Sequence, residues 1–149
     1  MVIKRLEQAK ACFSNDLKAL GNGLGQTWGG VSRSAYDFTY EIIFVNRRIA
    51  KRIRGEEQEP FQFGEFMRAP EPFCSETNAV NEFETSTQEV IDALSAISAD
   101  EITKTIQLPE STSTPLELGL FCATHIVYHD GQLNLMQAAR GDNEVHWDF

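Results

Sequence analysis

Two of the three histidines in this chain lie four residues apart, at His125 and His129. Apolar residues recur around them with a period near 3.6, which predicts a helix. These apolar positions are Leu118, Phe121, Cys122, Leu133 and Met136. On a helix, residues i and i+4 lie one above the other, about 6 Å apart along the axis. Both imidazoles therefore face the apolar side, where they either hold one cation together or form separate core hydrogen bonds.

A carboxylate stands on the apolar side of another predicted helix. Glu41 follows Phe38 by three residues and precedes Val45 by four, so the helix carries it toward the core. A lone buried carboxylate is costly unless it is paired or binds a cation. Glu41 either reaches water or an arginine at the edge of the apolar side, or it is a metal ligand. With His125 and His129 it would suit Zn²⁺, Ni²⁺ or Fe²⁺ and leave positions open for water and substrate.

Four amphipathic segments position these side chains, each with apolar residues at helical spacing. The helices are predicted from Val2 to about Leu20, from a cap at Ser32 or Ser34 to about Ile53, from Thr77 or Asn78 to about Ile97, and from Thr114-Pro115 to about Ala139. Serine and threonine are good caps, and proline is favoured in a first turn. The pattern indicates an all-α four-helix bundle that spans residues 1–149 as a single domain.

Two connections interrupt the helical pattern. Residues 55–73 form a long crossover rich in proline, glutamate and aromatic residues. Four phenylalanines are expected to anchor it: Phe61, Phe63, Phe66 and Phe73. Residues 102–108 alternate and are rich in β-branched side chains, while residues 109–115 are turn-forming, which predicts a short extended or hairpin excursion before the last helix. In the glycine-rich piece before the second helix, Trp28 is the expected anchor.

Composition and charge restrict the function. The formal charge of −9 argues against a nucleic-acid partner, because phosphate binding needs a basic face. A local basic run exists at Arg47, Arg48, Lys51, Arg52 and Arg54. It is either a solvated helix end or a rim that attracts an anionic small molecule. No apolar run is long enough to span a membrane, and the first residues lack a signal-peptide block, so we expect a cytoplasmic protein.

The remaining candidates for chemistry are the cysteines and the third histidine. Cys12, Cys74 and Cys122 are odd in number and widely spaced, which favours reduced thiols over a disulfide framework. Cys122 either borders the histidine site or is a small apolar filler. His146 either closes over a site or lies on the surface.

The stretch His125-Ile126-Val127-Tyr128-His129-Asp130-Gly131-Gln132-Leu133 resembles the last-helix signature of the DinB/YfiT-like superfamily. There, a histidine pair is followed by Gly-Gln and an aliphatic residue, and the order of elements agrees over essentially the whole chain. The resemblance implies a four-helix bundle with a metal held by three histidines, often in homodimers. It also implies a thiol-dependent transferase or isomerase that uses a low-molecular-weight thiol and a small-molecule substrate.

The chain departs from the family at two positions. The family's remaining histidine comes from the second helix, where this chain has Glu41; a glutamate can ligate, but it changes the charge and the metal preference. Asp130 stands where arginine is common. We therefore predict a metal-dependent, transferase- or hydrolase-like enzyme with Glu41, His125 and His129 as ligands. The alternative is a non-catalytic helical bundle in which these three residues form a hydrogen-bonded core cluster.

Overall fold

The structure, a computed structural model, describes residues 1–59, 66–109 and 111–147, which form four long helices and one short hairpin. The helices are α1 (Val2–Leu20), α2 (Ala35–Ile53), α3 (Glu76–Ser95) and α4 (Pro115–Ala139). Short 3-10 turns at Gly21–Gly23 and Glu71–Phe73 follow α1 and precede α3. The hairpin pairs β1 (Ile106–Gln107) with β2 (Thr112–Ser113). The all-α bundle and the hairpin excursion predicted from the sequence are confirmed.

Three helices begin at side chains that cap free backbone N–H groups. Before α2, Ser34 Oγ accepts from the Asp37 backbone N–H at 3.3 Å, and Asp37 Oδ2 accepts from the Ser34 N–H at 2.9 Å. Thr114 and Glu117 form the same reciprocal box before α4. Ser75 caps α3, two or three residues before the start predicted at Thr77 or Asn78. The caps at Ser34 and Thr114 were predicted correctly, so the starts of the two helices of the candidate site are fixed by local chemistry.

Helices α1 and α4 run in the same direction. At one end Val2 lies beside Gly119, and beyond the other end Gly23 lies beside Arg140. A Cβ atom built on Gly119 would stand 2.9 Å from both Val2 Cγ2 and Leu94 Cδ1. A glycine at this position therefore lets α4 approach α1 and α3 closely.

Helices α2 and α3 are also parallel, which explains the long connection between them. Phe73, just before α3, packs edge-on against Tyr36 in the first turn of α2, with ring centroids 6.5 Å apart. Farther along, Asn46 of α2 donates to Thr87 Oγ1 of α3 at 3.2 Å. Consecutive parallel helices need a connection that returns along the whole bundle. The crossover predicted from the sequence is confirmed.

The predicted anchors of the connections are only partly correct. Phe73 packs against the core, whereas Phe66 is 68% exposed; Phe61 and Phe63 lie outside the described residues. The prediction for Trp28 is wrong, since it is 50% exposed while Leu24 is completely buried. The reason is a surface turn: the Trp28 N–H donates to Ser32 Oγ at 2.8 Å, and two glycines with positive φ follow Trp28. Among the described residues, no helix combines the length and the apolar character that crossing a membrane requires.

Candidate metal site

Helices α2 and α4 bring the three sequence-predicted site residues together. Nε2 of His125 lies 3.1 Å from Nε2 of His129, and Oε1 of Glu41 lies 3.4 Å and 3.8 Å from these two atoms. A circle through three points at these separations has a radius of about 2.0 Å, which is the length of a Zn–N or Zn–O bond. The three atoms therefore fit a single divalent cation.

His129 is the most fixed of the three side chains. Its imidazole is only 1% exposed and stacks on Phe38 of α2, with ring centroids 5.2 Å apart and an interplanar angle of 8°. Its Nδ1 donates to Gln132 Oε1 at 2.8 Å. In the neutral ring this bond leaves the lone pair on Nε2, the atom that faces His125 and Glu41. His129 is thus held in the tautomer that a metal ligand requires.

Gln132 is the polar side chain that hydrogen-bonds to the imidazole of His129. Tyr128 packs its ring edge-on against His129, with centroids 4.9 Å apart. Asp37 is used in the helix cap and in a 3.0 Å ion pair with Arg68. Tyr40 packs against the crossover. Of these four side chains, Gln132 therefore provides the polar contact to the site.

His125 lies nearer the surface. Its side chain is 13% exposed, and its ring stacks on Phe121 with centroids 5.7 Å apart and an interplanar angle of 19°. Its Nδ1 is buried and has no hydrogen-bond partner among the described residues. The sequence pattern placed Phe121 on the buried side of α4, but Phe121 is 54% exposed and forms the outer wall of the site. That part of the prediction is wrong because α4 is apolar on its outward side as well, and Phe121 lies at the edge of the buried side.

Glu41 has an arginine as well as two histidines around its carboxylate. Its Oε2 accepts from Nη1 of Arg33, whose guanidinium also stands 4.4 Å above the ring of Phe66. The neighbouring side chains of His125, His129 and Arg33 hold the pKa of Glu41 well below its ordinary value. Glu41 is therefore a carboxylate at neutral pH, as a ligand must be. The sequence left open a pairing of Glu41 with an arginine, and the structure identifies Arg33.

Asp130 does not belong to this cluster. Its carboxyl group is buried and faces Asp16 of α1, and burial together with Asp16 raises the pKa of Asp130 to about 8. Asp16 also accepts from Asn134 Nδ2 at 2.9 Å and from Trp147 Nε1 at 2.8 Å. The sequence analysis did not predict this polar cluster between α1 and α4. The position of Asp16 could have indicated it, because Asp16 follows Phe13 by three residues and so lies on the apolar side of α1.

The other sequence candidates lie outside the cluster. Cys122 is fully buried in the apolar core, where burial raises the pKa of its thiol to about 12, so it is the filler rather than a nucleophile. His146 is paired with Asp142 at 2.9 Å, and its carbonyl accepts from Asn15 of α1. It lies against the α1 side of the bundle.

The basic run at the end of α2 is partly neutralised by acidic neighbours. Arg47 pairs with Glu82 at 2.6 Å and with Glu89 at 3.4 Å, and Arg54 pairs with Glu56. An open pocket of about 470 Å³ has three basic and two acidic residues in its lining. The charged lining residues are Arg47, Arg48, Lys51, Glu57 and Glu59. The mixed charge favours a solvated helix end over a rim for anions.

In comparisons with known proteins, no family model and no curated protein matches this chain. Its fold, however, is similar to solved structures of DinB-like proteins. One is YjoA from Bacillus subtilis, with a TM-score of 0.70, 14% identity, and coverage of 99% of this chain and 96% of that chain. Another is from Bacillus cereus, with a TM-score of 0.75, 13% identity, and coverage of 99% and 95%. The chain therefore adopts the DinB-like four-helix bundle fold, as the resemblance in the last helix predicted.

Proposed function

We propose that this protein binds one divalent metal ion through Glu41, His125 and His129 and acts on a low-molecular-weight thiol and a small-molecule substrate. The observation that supports this best is the triangle of three ligand atoms, whose size matches zinc–ligand bonds. The DinB-like fold is consistent with the proposal, because bundle cores commonly hold metals between facing helices. None of the three cysteines forms a disulfide, which fits a reducing compartment, and the cytoplasm is part of the proposal.

The side chains of the site have separate roles in this proposal. A bound ion would supply Lewis acidity, which lowers the pKa of a thiol or of water at neutral pH. Three protein ligands leave a coordination position open, as catalytic sites do. Glu41 and His125 are 22% and 13% exposed, so the open side of the cluster faces the surface. Gln132 orients His129, and Phe121 keeps water from one face of His125.

Calorimetry on chelator-stripped protein tests the metal part. We expect Zn²⁺ or Ni²⁺ to bind with one ion per chain, and His129→Ala and Glu41→Gln to weaken this binding strongly. His146→Ala is the matched control, since this histidine is paired with Asp142 outside the cluster. The absence of binding, or an equal loss in His146→Ala, would contradict the proposal.

Spectroscopy tests the thiol part without an assumed reaction. In Co²⁺-loaded protein, 2-mercaptoethanol is expected to produce a thiolate-to-cobalt charge-transfer band in the near ultraviolet. If the spectrum stays unchanged at saturating thiol while Co²⁺ remains bound, the metal site stands and the thiol chemistry does not.

A second candidate is a non-catalytic bundle with a metal-free cluster, and the Arg33–Glu41 ion pair favours it. This ion pair already neutralises the carboxylate that a metal would need. Unfolding free energies of Glu41→Ala and His125→Ala, measured with and without chelator, discriminate the two. Equal changes under both conditions support the cluster. Changes that appear only when metal is present support the metal site.

A further inference from the structure

The two carboxylate oxygens of Glu41 have different neighbours. Oε1 faces the imidazoles, 3.4 Å from Nε2 of His125 and 3.8 Å from Nε2 of His129. Oε2 instead accepts a hydrogen bond from Nη1 of Arg33. A carboxylate can bind a metal through one oxygen while the other accepts a hydrogen bond. Arg33 and a metal ion can therefore share Glu41, each through a different oxygen.

The end of the crossover holds Arg33 in place. The side chain of Arg33 is 9% exposed, and its guanidinium carbon lies 4.4 Å from the centroid of the Phe66 ring. The residues after Phe66 are attached to the first turn of α2. Asp37 accepts from the backbone N–H of Ala69 at 2.9 Å and pairs with Arg68 at 3.0 Å. A guanidinium that is both paired with a carboxylate and stacked on a ring has little freedom. Arg33 is therefore a fixed positive charge beside the candidate site.

Arg33 changes the charge of the candidate site. Two neutral imidazoles add no charge to a bound ion, and the one carboxylate among the three ligands is Glu41. Because the guanidinium of Arg33 offsets that carboxylate, a divalent ion keeps its full double positive charge. Two other acidic residues nearby leave this balance unchanged: Asp37 is paired with Arg68, and the buried carboxyl group of Asp130 faces α1. The open coordination position therefore favours an anion.

The charge of Arg33 also lies close to the position where a ligand would bind. One carboxylate separates its guanidinium from the metal-facing oxygen. The two oxygens of a carboxylate are about 2 Å apart and a charge-assisted hydrogen bond is about 3 Å long, so Nη1 of Arg33 lies about 5 Å or less from Oε1 of Glu41. This separation is shorter than the Debye length of about 8 Å at physiological ionic strength. Solvent ions therefore screen the guanidinium only weakly from an anion bound at the site.

We propose that Arg33 is a specificity-determining residue through which the site selects anionic ligands, so that the thiol or the second substrate carries a carboxylate or another anionic group. The inference rests on the proposed function and deepens it, because the three metal ligands alone do not set the charge of the substrate. Arg33 acts through its charge and does not bind the metal. Its replacement should change the binding of charged and neutral ligands by different factors, whereas a purely structural defect would weaken both alike.

Three thiols with the same two-carbon spacer test the inference in Co²⁺-loaded protein. At neutral pH, 3-mercaptopropionate, 2-mercaptoethanol and cysteamine end in a negative, a neutral and a positive group. Their dissociation constants are measured from the thiolate-to-cobalt band. In Arg33→Gln we expect 3-mercaptopropionate to bind about 10-fold more weakly, relative to 2-mercaptoethanol, than in the parent, and cysteamine to bind relatively more tightly. Intrinsic differences between the thiols cancel in these ratios.

Further variants separate the charge of Arg33 from its packing. Arg33→Met is a second uncharged variant, which keeps an apolar contact with Phe66. Arg33→Lys keeps the charge and should retain the preference of the parent. Arg54→Gln is the control, since Arg54 pairs with Glu56 about 20 Å from Glu41 along α2. Circular dichroism checks that each variant remains helical.

The outcomes distinguish the inference from the proposed function. If no thiol produces a band, azide and imidazole serve as the anionic and the neutral probe, read from the visible spectrum of Co²⁺. Unchanged ratios in both uncharged variants, or the same shift in Arg33→Lys or in Arg54→Gln, would overturn the inference and leave the metal site standing. Parent protein that binds no Co²⁺ would contradict the proposed function itself, and the inference with it.

Discussion

Replacing Gln132 tests the metal site through a side chain that hydrogen-bonds to one of the proposed ligands. A metal bound at His129 Nε2 requires the proton on Nδ1, and that N–H donates to Gln132 Oε1 at 2.8 Å. His129 is 1% exposed, so water cannot replace the lost acceptor in Gln132→Leu. An unsatisfied buried donor costs about 1–3 kcal/mol. The metal-free ring can avoid this cost by moving its proton to Nε2. The metal-bound ring cannot, so the substitution destabilises the metal-bound form and weakens metal binding.

The expected result is an affinity for Zn²⁺ that is about 10–100-fold lower in Gln132→Leu, measured by calorimetry on stripped protein. Gln132→Glu is the matched control, because its carboxylate still accepts from His129, and it should bind at least as tightly as the parent. Urea unfolding in chelator checks that both variants fold. Equal affinities for the leucine variant and the parent, or equal losses in both variants, would refute the role given to this hydrogen bond.

Two further predictions concern the scaffold. Asn46 is fully buried and donates to Thr87, so Asn46→Ala should lower the free energy of unfolding, measured by urea denaturation, by about 1–3 kcal/mol. The control is Asn81→Ala on the exposed side of α3, which should change this free energy by less than about 0.5 kcal/mol. The ion pair with Asp142 raises the pKa of His146 above its ordinary 6.5. The stabilisation from this ion pair is therefore complete below pH 6.5 and is lost as the pH rises through the pKa of His146 in the folded protein. Nuclear magnetic resonance titration should show a lower pKa for His146 in Asp142→Asn than in the parent. An unchanged pKa would contradict the pairing.

The helices of the site could be predicted from the sequence because their ends depend on local chemistry. Ser34 and Thr114 each stand three residues before an acidic side chain, and this spacing forms a capping box wherever a helix follows. The i, i+4 spacing of His125 and His129 fixed their common direction in the same way. Glu41 could be placed on the inner side of α2 by its distance from apolar neighbours. These are all relations within a single helix.

The remaining features depend on contacts between segments that sequence spacing does not relate. Arg33 lies before α2, and its guanidinium reaches Glu41 through the path of the loop rather than through a helical repeat. The pairing of Asp16 with Asp130 joins α1 to α4 across more than a hundred residues. Phe121 was assigned to the core because it is apolar, but α4 is apolar on both sides. Apolar periodicity cannot orient such a helix.

Metal analysis of the protein purified without an affinity tag tests the central claim most directly. Inductively coupled plasma mass spectrometry of the parent and of His146→Ala should find one equivalent of a divalent transition metal per chain. The same measurement on His129→Ala should find almost none. Parent protein that remains metal-free after growth and purification with added Zn²⁺, Ni²⁺ or Fe²⁺ would contradict the claim that Glu41, His125 and His129 form a metal site.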